Sequence, residues 1–159
     1  MARKDWDAVR QIYVEGIGTG HATFETEPPA WDQWDVARSP ECRLVAEVND
    51  RVVGFAALTR VSPRPVYRGV QDAMLYVAAD ARGRGVGSEL LSRLVEASEA
   101  AGIWTLEAHI FPENAASVRT FANAGFRVVG VQERVGRFRD GRWRDVLVME
   151  RRSRVVGVD

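Results

Sequence analysis

The run Arg82-Gly83-Arg84-Gly85-Val86-Gly87-Ser88 constrains this chain more than any other stretch of it. An extended segment, Val70 to Ala78, precedes it. Val86 to Ala101 follows as a helix, with Val86, Leu90, Leu91, Leu94 and Val95 on one face and Gly102 placed to end it. Glycines at such a junction let the backbone turn so that several N–H groups face one concavity. The helix start adds a field that favours an anion, and Arg82 and Arg84 add positive charge beside it. The arrangement suits a pyrophosphate. It is not a Walker A loop, because no lysine precedes Ser88, and it lacks the glycine spacing and the following acid of a dinucleotide fingerprint. A glycine-rich turn that binds nothing is the plain alternative.

The remaining elements are read outward from this junction. Asp5 to Ile17 reads as a helix with Asp5 at its N-cap, and a glycine-broken loop, His21 to Pro29, follows. A short helix carries Trp31 and Trp34. Arg43 to Val48 and Val52 to Leu58 form a hairpin across Asn49-Asp50. Ile103 to Phe111 is a strand, Ala115 to Ala124 a helix, and Phe126 to Val135 and Trp143 to Glu150 a second hairpin. Asp140-Gly141 gives that hairpin a type I′ signal. The order predicts one mixed α/β domain over residues 1–152 around a single sheet, with 153–159 as a loose tail.

Composition narrows the partners. Lys plus Arg and Asp plus Glu both number 22, so the formal charge is zero and gives no reason to expect nucleic acid or an anionic membrane. The C-terminal arginines read as a solvated sheet face. The single cysteine, Cys42, excludes an intrachain disulfide and reads as a structural thiol. Two separated histidines, His21 and His109, without nearby Cys or paired acids argue against a metal site. With no long apolar run and no secretory pattern, the sequence predicts a cytoplasmic protein.

Several motifs together carry a resemblance. Arg82-x-x-Gly85-x-Gly87 after Leu75-Tyr76-Val77, and Asn114-Ala115-Ala116-Ser117 followed by Phe121 and Gly125-Phe126, resemble the cofactor elements of the GNAT superfamily of N-acetyltransferases. Ile12-Tyr13, the Ala22-Thr23-Phe24-Glu25-Thr26-Glu27 loop and Gly141-Arg142-Trp143-Arg144-Asp145-Val146 resemble its phosphinothricin acetyltransferase branch. Members of that branch act on phosphinothricin, methionine sulfone or sulfoximine, and arsinothricin. The resemblance implies a mostly antiparallel twisted sheet, splayed between the Val70–Ala78 and Ile103–Phe111 strands, with acetyl-CoA in the split. It also implies a homodimer, with the C-terminal hairpin and Trp143 as a contact.

The resemblance assigns roles as well. Leu75, Tyr76 and Val77 pair through their backbone with the pantetheine arm, and an N–H there holds the developing oxyanion. Residues 82–88, namely Arg82, Gly83, Arg84, Gly85, Val86, Gly87 and Ser88, wrap the pyrophosphate. Asn114 and Ser117 complete the cofactor site, and Asn114 also reads as a helix N-cap. Asp72 stands where the branch has a glutamate, one methylene shorter, and is the expected general base, acting directly or through one water. Phe24, Glu25, Tyr67 and His109 are expected at the acceptor side. Arg64 or Arg68 is expected to hold an amino-acid carboxylate. His109 faces either the core or the cleft, and serves as an alternative base in the second case.

Two departures stand out. Phe121 occupies a position where many relatives carry Tyr or His, so no side-chain acid is available there for the leaving thiolate. Only four residues precede Asp5, whereas the family begins with a full first strand. The expected activity is acetylation of the α-amine of an amino acid or an amino-acid-like antimetabolite. A CoA-binding module without catalysis, and an enzyme for a protein N-terminus or lysine, are the alternatives.

Overall fold

A computed structural model describes residues 1–158. The chain opens with a 3-10 turn at Arg3–Asp5 and continues into α1 (Trp6–Gly18), and no strand precedes α1 among the described residues. Asp5 does not cap α1 with its side chain. Its Oδ2 turns back to accept from the Ala2 N–H at 2.7 Å and closes the 3-10 turn instead. A second helix, α2 (Trp31–Ala37), precedes the first strands.

The sheet contains β1 (Arg43–Val48), β2 (Arg51–Arg60), β3 (Val70–Val77), β4 (Thr105–Ile110), β5 (Arg127–Arg137) and β6 (Trp143–Arg152), in the order β1-β2-β3-β4-β6-β5. Two further helices follow: α3 (Val86–Ala100) links β3 to β4, and α4 (Ala115–Asn123) links β4 to the edge strand β5. Every pairing is antiparallel except that of β3 with β4. That parallel pairing runs only from Val70↔Thr105 to Asp72↔Glu107. Beyond Asp72 the strands part, so Ala73 to Val77 pair with β2 alone. The expected splay in the sheet is therefore present, and it begins at Asp72.

Burial on both faces holds the sheet. On β2, Ala56 and Leu58 face the α3 and α4 side with Leu91, Leu94, Leu106 and Met149, while Phe55 and Ala57 face α1 and α2. The period-2 alternation of a strand makes this possible, because successive side chains point to opposite faces. Cys42 is fully buried in the first cluster, and that burial pushes its thiol up to about 11.

One of the two hairpin turns and the C-terminal tail depart from expectation. Asn49 and Asp50 both have positive φ, 49° and 59°, which is the type I′ signature. Within the turn of the other hairpin, between β5 and β6, only Gly141 is positive, at 84°. There Gly141 N–H donates to Phe138 O and Phe138 N–H to Arg142 O, each at 2.8 Å, which describes a type I turn followed by a glycine bulge. The tail is not loose: the Arg152 guanidinium donates to the carbonyls of Trp104, Ser153, Val156 and Gly157. Asp159 of the expected tail lies outside the described residues.

Candidate active site

Parting the strands leaves a cleft of about 900 Å³ at the centre of the sheet. Its first wall is the edge of β3, whose backbone groups have no strand partner on the β4 side after Asp72. Leu75, Tyr76 and Val77 line it. Val77 O accepts from the Arg82 Nε–H at 3.1 Å, which ties the end of the strand to the loop below.

That loop forms the second wall. Gly83 and Gly85 have φ of +73° and +83°, and a β-carbon on either would meet nothing within 4 Å. The left-handed backbone is thus what requires glycine, and the space beside it is open for a ligand. Gly85 is the N-cap residue of α3, and Gly87 and Ser88 of the helix's first turn line the cleft, where the first N–H groups of a helix have no intrahelical partner. Arg82, Gly83, Gly85, Gly87 and Ser88 line the cleft, whereas Arg84 does not, and Val86 packs between the two core clusters. Asn114 and Ser117 complete this wall: Asn114 Oδ1 caps α4 by accepting from Ser117 N–H at 3.2 Å, and its Nδ2 donates to His21 O at 3.3 Å. A free strand edge leading to an open, helix-capping glycine loop fits an extended donor with a diphosphate tail, of the acetyl-CoA kind.

The opposite face gathers polar groups. Asp72, Met74 and Tyr76 alternate on one side of β3, and Tyr76 meets Tyr13 of α1 with ring centroids 4.8 Å apart and planes tilted by 57°. Burial raises Tyr76 well above the usual phenol range, and burial followed by the charge of Glu25 raises Tyr13. Arg38, just after α2, reaches into the same space. Its Nε donates to Met74 Sδ at 3.2 Å and its guanidinium lies 5.6 Å from the Trp34 ring. Desolvation lowers its affinity for its proton, while Tyr13, Asp72, Tyr76 and Glu25 act in the other direction. Among the described residues Arg38 has no carboxylate at ion-pair distance.

His109, on β4, meets Asp72 across the fork, Nδ1 to Oδ1, at 2.6 Å. The hydrogen bond to Asp72 raises the imidazole above its ordinary value, burial opposes this, and the charges of Asp72 and Glu107 add to it. Of the two sequence readings of His109, the one facing the cleft holds. Phe24 and Glu25 also line the cleft. Phe24 is wedged edge-on against Phe111, with centroids 4.8 Å apart, and it fastens the His21–Pro29 loop over the site.

Arg64, Tyr67 and Arg68, expected at the acceptor side, are not among the lining residues. The Arg64 guanidinium stacks on Tyr67 at 5.6 Å, and that of Arg68 on Trp104 at 5.2 Å. Their loop leads into the paired start of β3, away from the fork, where Gly69 lies so close that a β-carbon would fall 2.2 Å from Trp104. Arg38 is the cation the sequence reading missed. No local pattern marks it, since it follows a helix of only seven residues and enters the site through tertiary packing. Phe121 is buried at the cleft floor against Phe126, without a titratable group.

A donor lying on the bare edge of β3 with its phosphates on the glycine loop directs its reactive end toward Asp72 and His109. Passing an acyl group to a nucleophile held at that face is the work this geometry supports, and it defines an acyltransferase. The profile of the Acetyltransferase (GNAT) family matches residues 6–126, and the chain belongs to that family. It is an N-acetyltransferase of the GNAT type, the class whose acetyl donor is acetyl-CoA. A phosphinothricin N-acetyltransferase of Alcaligenes faecalis is 35% identical over 157 residues, covering 92% of this chain and 77% of that one. The structure of a ribosomal-protein-alanine N-acetyltransferase from Brucella melitensis superposes with a TM-score of 0.88 at 30% identity, covering 96% and 97% of the two chains. That of a phosphinothricin acetyltransferase from Sinorhizobium meliloti, in complex with AcCoA, gives 0.89 at 27% identity, covering 100% and 89%. Among the described residues no cluster of His, Cys, Asp or Glu is placed to hold a metal ion, and no helix is long and apolar enough to cross a membrane.

Proposed function

We propose that this enzyme acetylates the free α-amine of a small amino acid or amino-acid-like antimetabolite of the phosphinothricin or methionine sulfone type. The observation that carries this reading is Arg38, a half-buried cation with no carboxylate at ion-pair distance among the described residues, which lines the cleft together with Asp72. A buried charge is costly unless it meets an opposite one, and an α-carboxylate is the partner that an amino acid brings. Asp72 draws the ammonium to the same face, where its proton leaves toward the Asp72–His109 pair. The donor lies along Leu75–Val77, with its diphosphate on the loop from Arg82 to Ser88 and Asn114 and Ser117 beside it.

The likeness to the Alcaligenes enzyme, named for a glutamate-like acceptor, supports the amino-acid reading. The likeness to the Brucella protein, named for an alanine of a ribosomal protein, supports a peptide N-terminus instead. Those two acceptors differ by a carboxylate, and Arg38 favours the first. We also propose that a single domain over residues 1–152 carries the activity and pairs with a second copy through β5 and β6. There Val128, Val129, Val131, Val135 and Trp143 are exposed on an edge strand and its neighbour.

Thiol release in the presence of acetyl-CoA tests the reading. L-Phosphinothricin should release free thiol well above the rate without amine, and its decarboxylated amine should do so poorly. Tight acetyl-CoA binding with no thiol released by any amine would leave only a binding module.

A further inference from the structure

The fork in the sheet begins at the rung Asp72↔Glu107, and His109 is the next residue of β4 on the same face. As the strands separate, the imidazole spans the opening gap and meets Asp72 Oδ1 at 2.6 Å. Both side chains stay partly open to the cleft, at 39% and 37% exposure. A carboxylate offers only acceptor lone pairs, so the shared proton sits on Nδ1 of the ring. That tautomer leaves Nε2 with a lone pair. Asp72 is also one methylene shorter than a glutamate, and here that methylene is replaced in reach by a whole imidazole.

We infer that His109 Nε2 takes the proton from the acceptor ammonium, with Asp72 as the positioning residue that fixes its tautomer and stabilises the imidazolium. This rests on the N-acetyltransferase reading above and specifies its base. The ammonium gives one proton to Nε2, and the freed lone pair forms the C–N bond at the thioester carbonyl carbon. The C–S bond then breaks with its electron pair on sulfur, and the thiolate takes the second nitrogen proton. The imidazolium finally returns its proton to solvent. One ammonium and one thioester thus become one amide, one thiol and one proton.

The charged groups around the imidazole are few. Asp72 faces it from β3 and Glu107 from its own strand, while Val148 lies opposite it on β6. Arg38 acts on Asp72 from the side of α2, and Glu150, opposite Glu107 on β6, is engaged by Arg127. The environment therefore favours the imidazolium. Neutral His109, the form that accepts a proton, accumulates only as pH rises through a value above the ordinary imidazole range.

The test is the pH profile of kcat/KM for thiol release, measured with L-phosphinothricin on wild type, His109→Gln and Asp72→Asn, with acetyl-CoA affinity as the control for folding. Glutamine keeps a donor toward Asp72 but cannot accept the proton. His109→Gln should lose roughly 10²–10⁴ in rate, and its limb should follow the ionisation of the amine itself. Asp72→Asn should also lower the plateau, and in addition move the midpoint to lower pH, because the hydrogen-bond partner that raises the imidazole is gone. A merely structural Asp72 would lower the plateau with the midpoint in place. A His109→Gln enzyme within threefold of wild type, or an unmoved midpoint in Asp72→Asn, overturns the inference while leaving the acetyltransferase reading intact. A wild type that releases no thiol at any pH overturns both. Should His109→Gln lose acetyl-CoA binding through misfolding, the Asp72→Asn midpoint decides alone.

Discussion

Arg38, Asp72 and His109 divide the work at the polar end of the cleft, and each is placed by a different element. Arg38 comes from the chain after α2, Asp72 from the last rung that β3 shares with β4, and His109 from β4 just past that rung, where it pairs with β6 alone. Neither Arg38 nor His109 belongs to a local motif that announces its role. The glycine loop does, and it gives the most direct prediction at this scale. Gly85→Asp puts a carboxylate and a β-carbon where φ is +83° and where phosphate oxygens are expected. Opposed like charges cost several kcal/mol, so acetyl-CoA affinity should fall by roughly a hundredfold or more. Calorimetry on a folded variant measures this, and unchanged affinity would remove the loop from the donor site.

At the scale of elements, Phe24 anchors the His21–Pro29 loop, alongside the Asn114 bond to His21 O. Phe24 sits between Phe111 and Phe138 and directly over Gly136 of β5, where a β-carbon would come within 2.5 Å of its ring. Arg144 backs the same cluster, 4.4 Å above Phe111, and reaches Gly20 O and Glu113. Gly136→Val should therefore unseat Phe24 rather than disturb the sheet. Overpacking of this kind costs about 1–3 kcal/mol. Limited proteolysis should show faster cleavage within residues 19–29, with the acceptor KM raised and acetyl-CoA affinity kept. Equal cleavage rates in variant and wild type would show that the loop is held otherwise.

Much of this level was legible beforehand. Alternating strands, the amphipathic helix α3 and the glycine stops at Gly102 and Gly125 all carry their signal within a few residues. What sequence could not show depends on register or on distant packing. The Asp72–His109 pair exists only because β3 and β4 align for three rungs and then part. Arg64 and Arg68 are next to Asp72 in sequence, yet their loop spends both guanidinium groups on Tyr67 and Trp104. Asn49-Asp50 makes the type I′ turn, and Asp140-Gly141 does not, because the five residues Phe138 to Arg142 close by a bulge.

For the molecule as a whole, the sheet order leaves β5 as an edge with valines exposed along its length. Sedimentation should give a mass near twice 17.7 kDa, and Val131→Glu with Trp143→Ser should return it to the single-chain value with the fold kept. A wild type that sediments as one chain at all concentrations would remove the dimer from the account. The central claim concerns the acceptor, and one comparison reaches it most directly. It is the ratio of kcat/KM for L-phosphinothricin to that for its decarboxylated amine, measured in wild type and in Arg38→Ala. If Arg38 holds the α-carboxylate, the wild-type ratio should be roughly thirtyfold to several thousandfold, the worth of a desolvated charge pair of about 2–5 kcal/mol, and should collapse toward one in Arg38→Ala. A ratio that is the same in both enzymes, or near one in wild type, would contradict it.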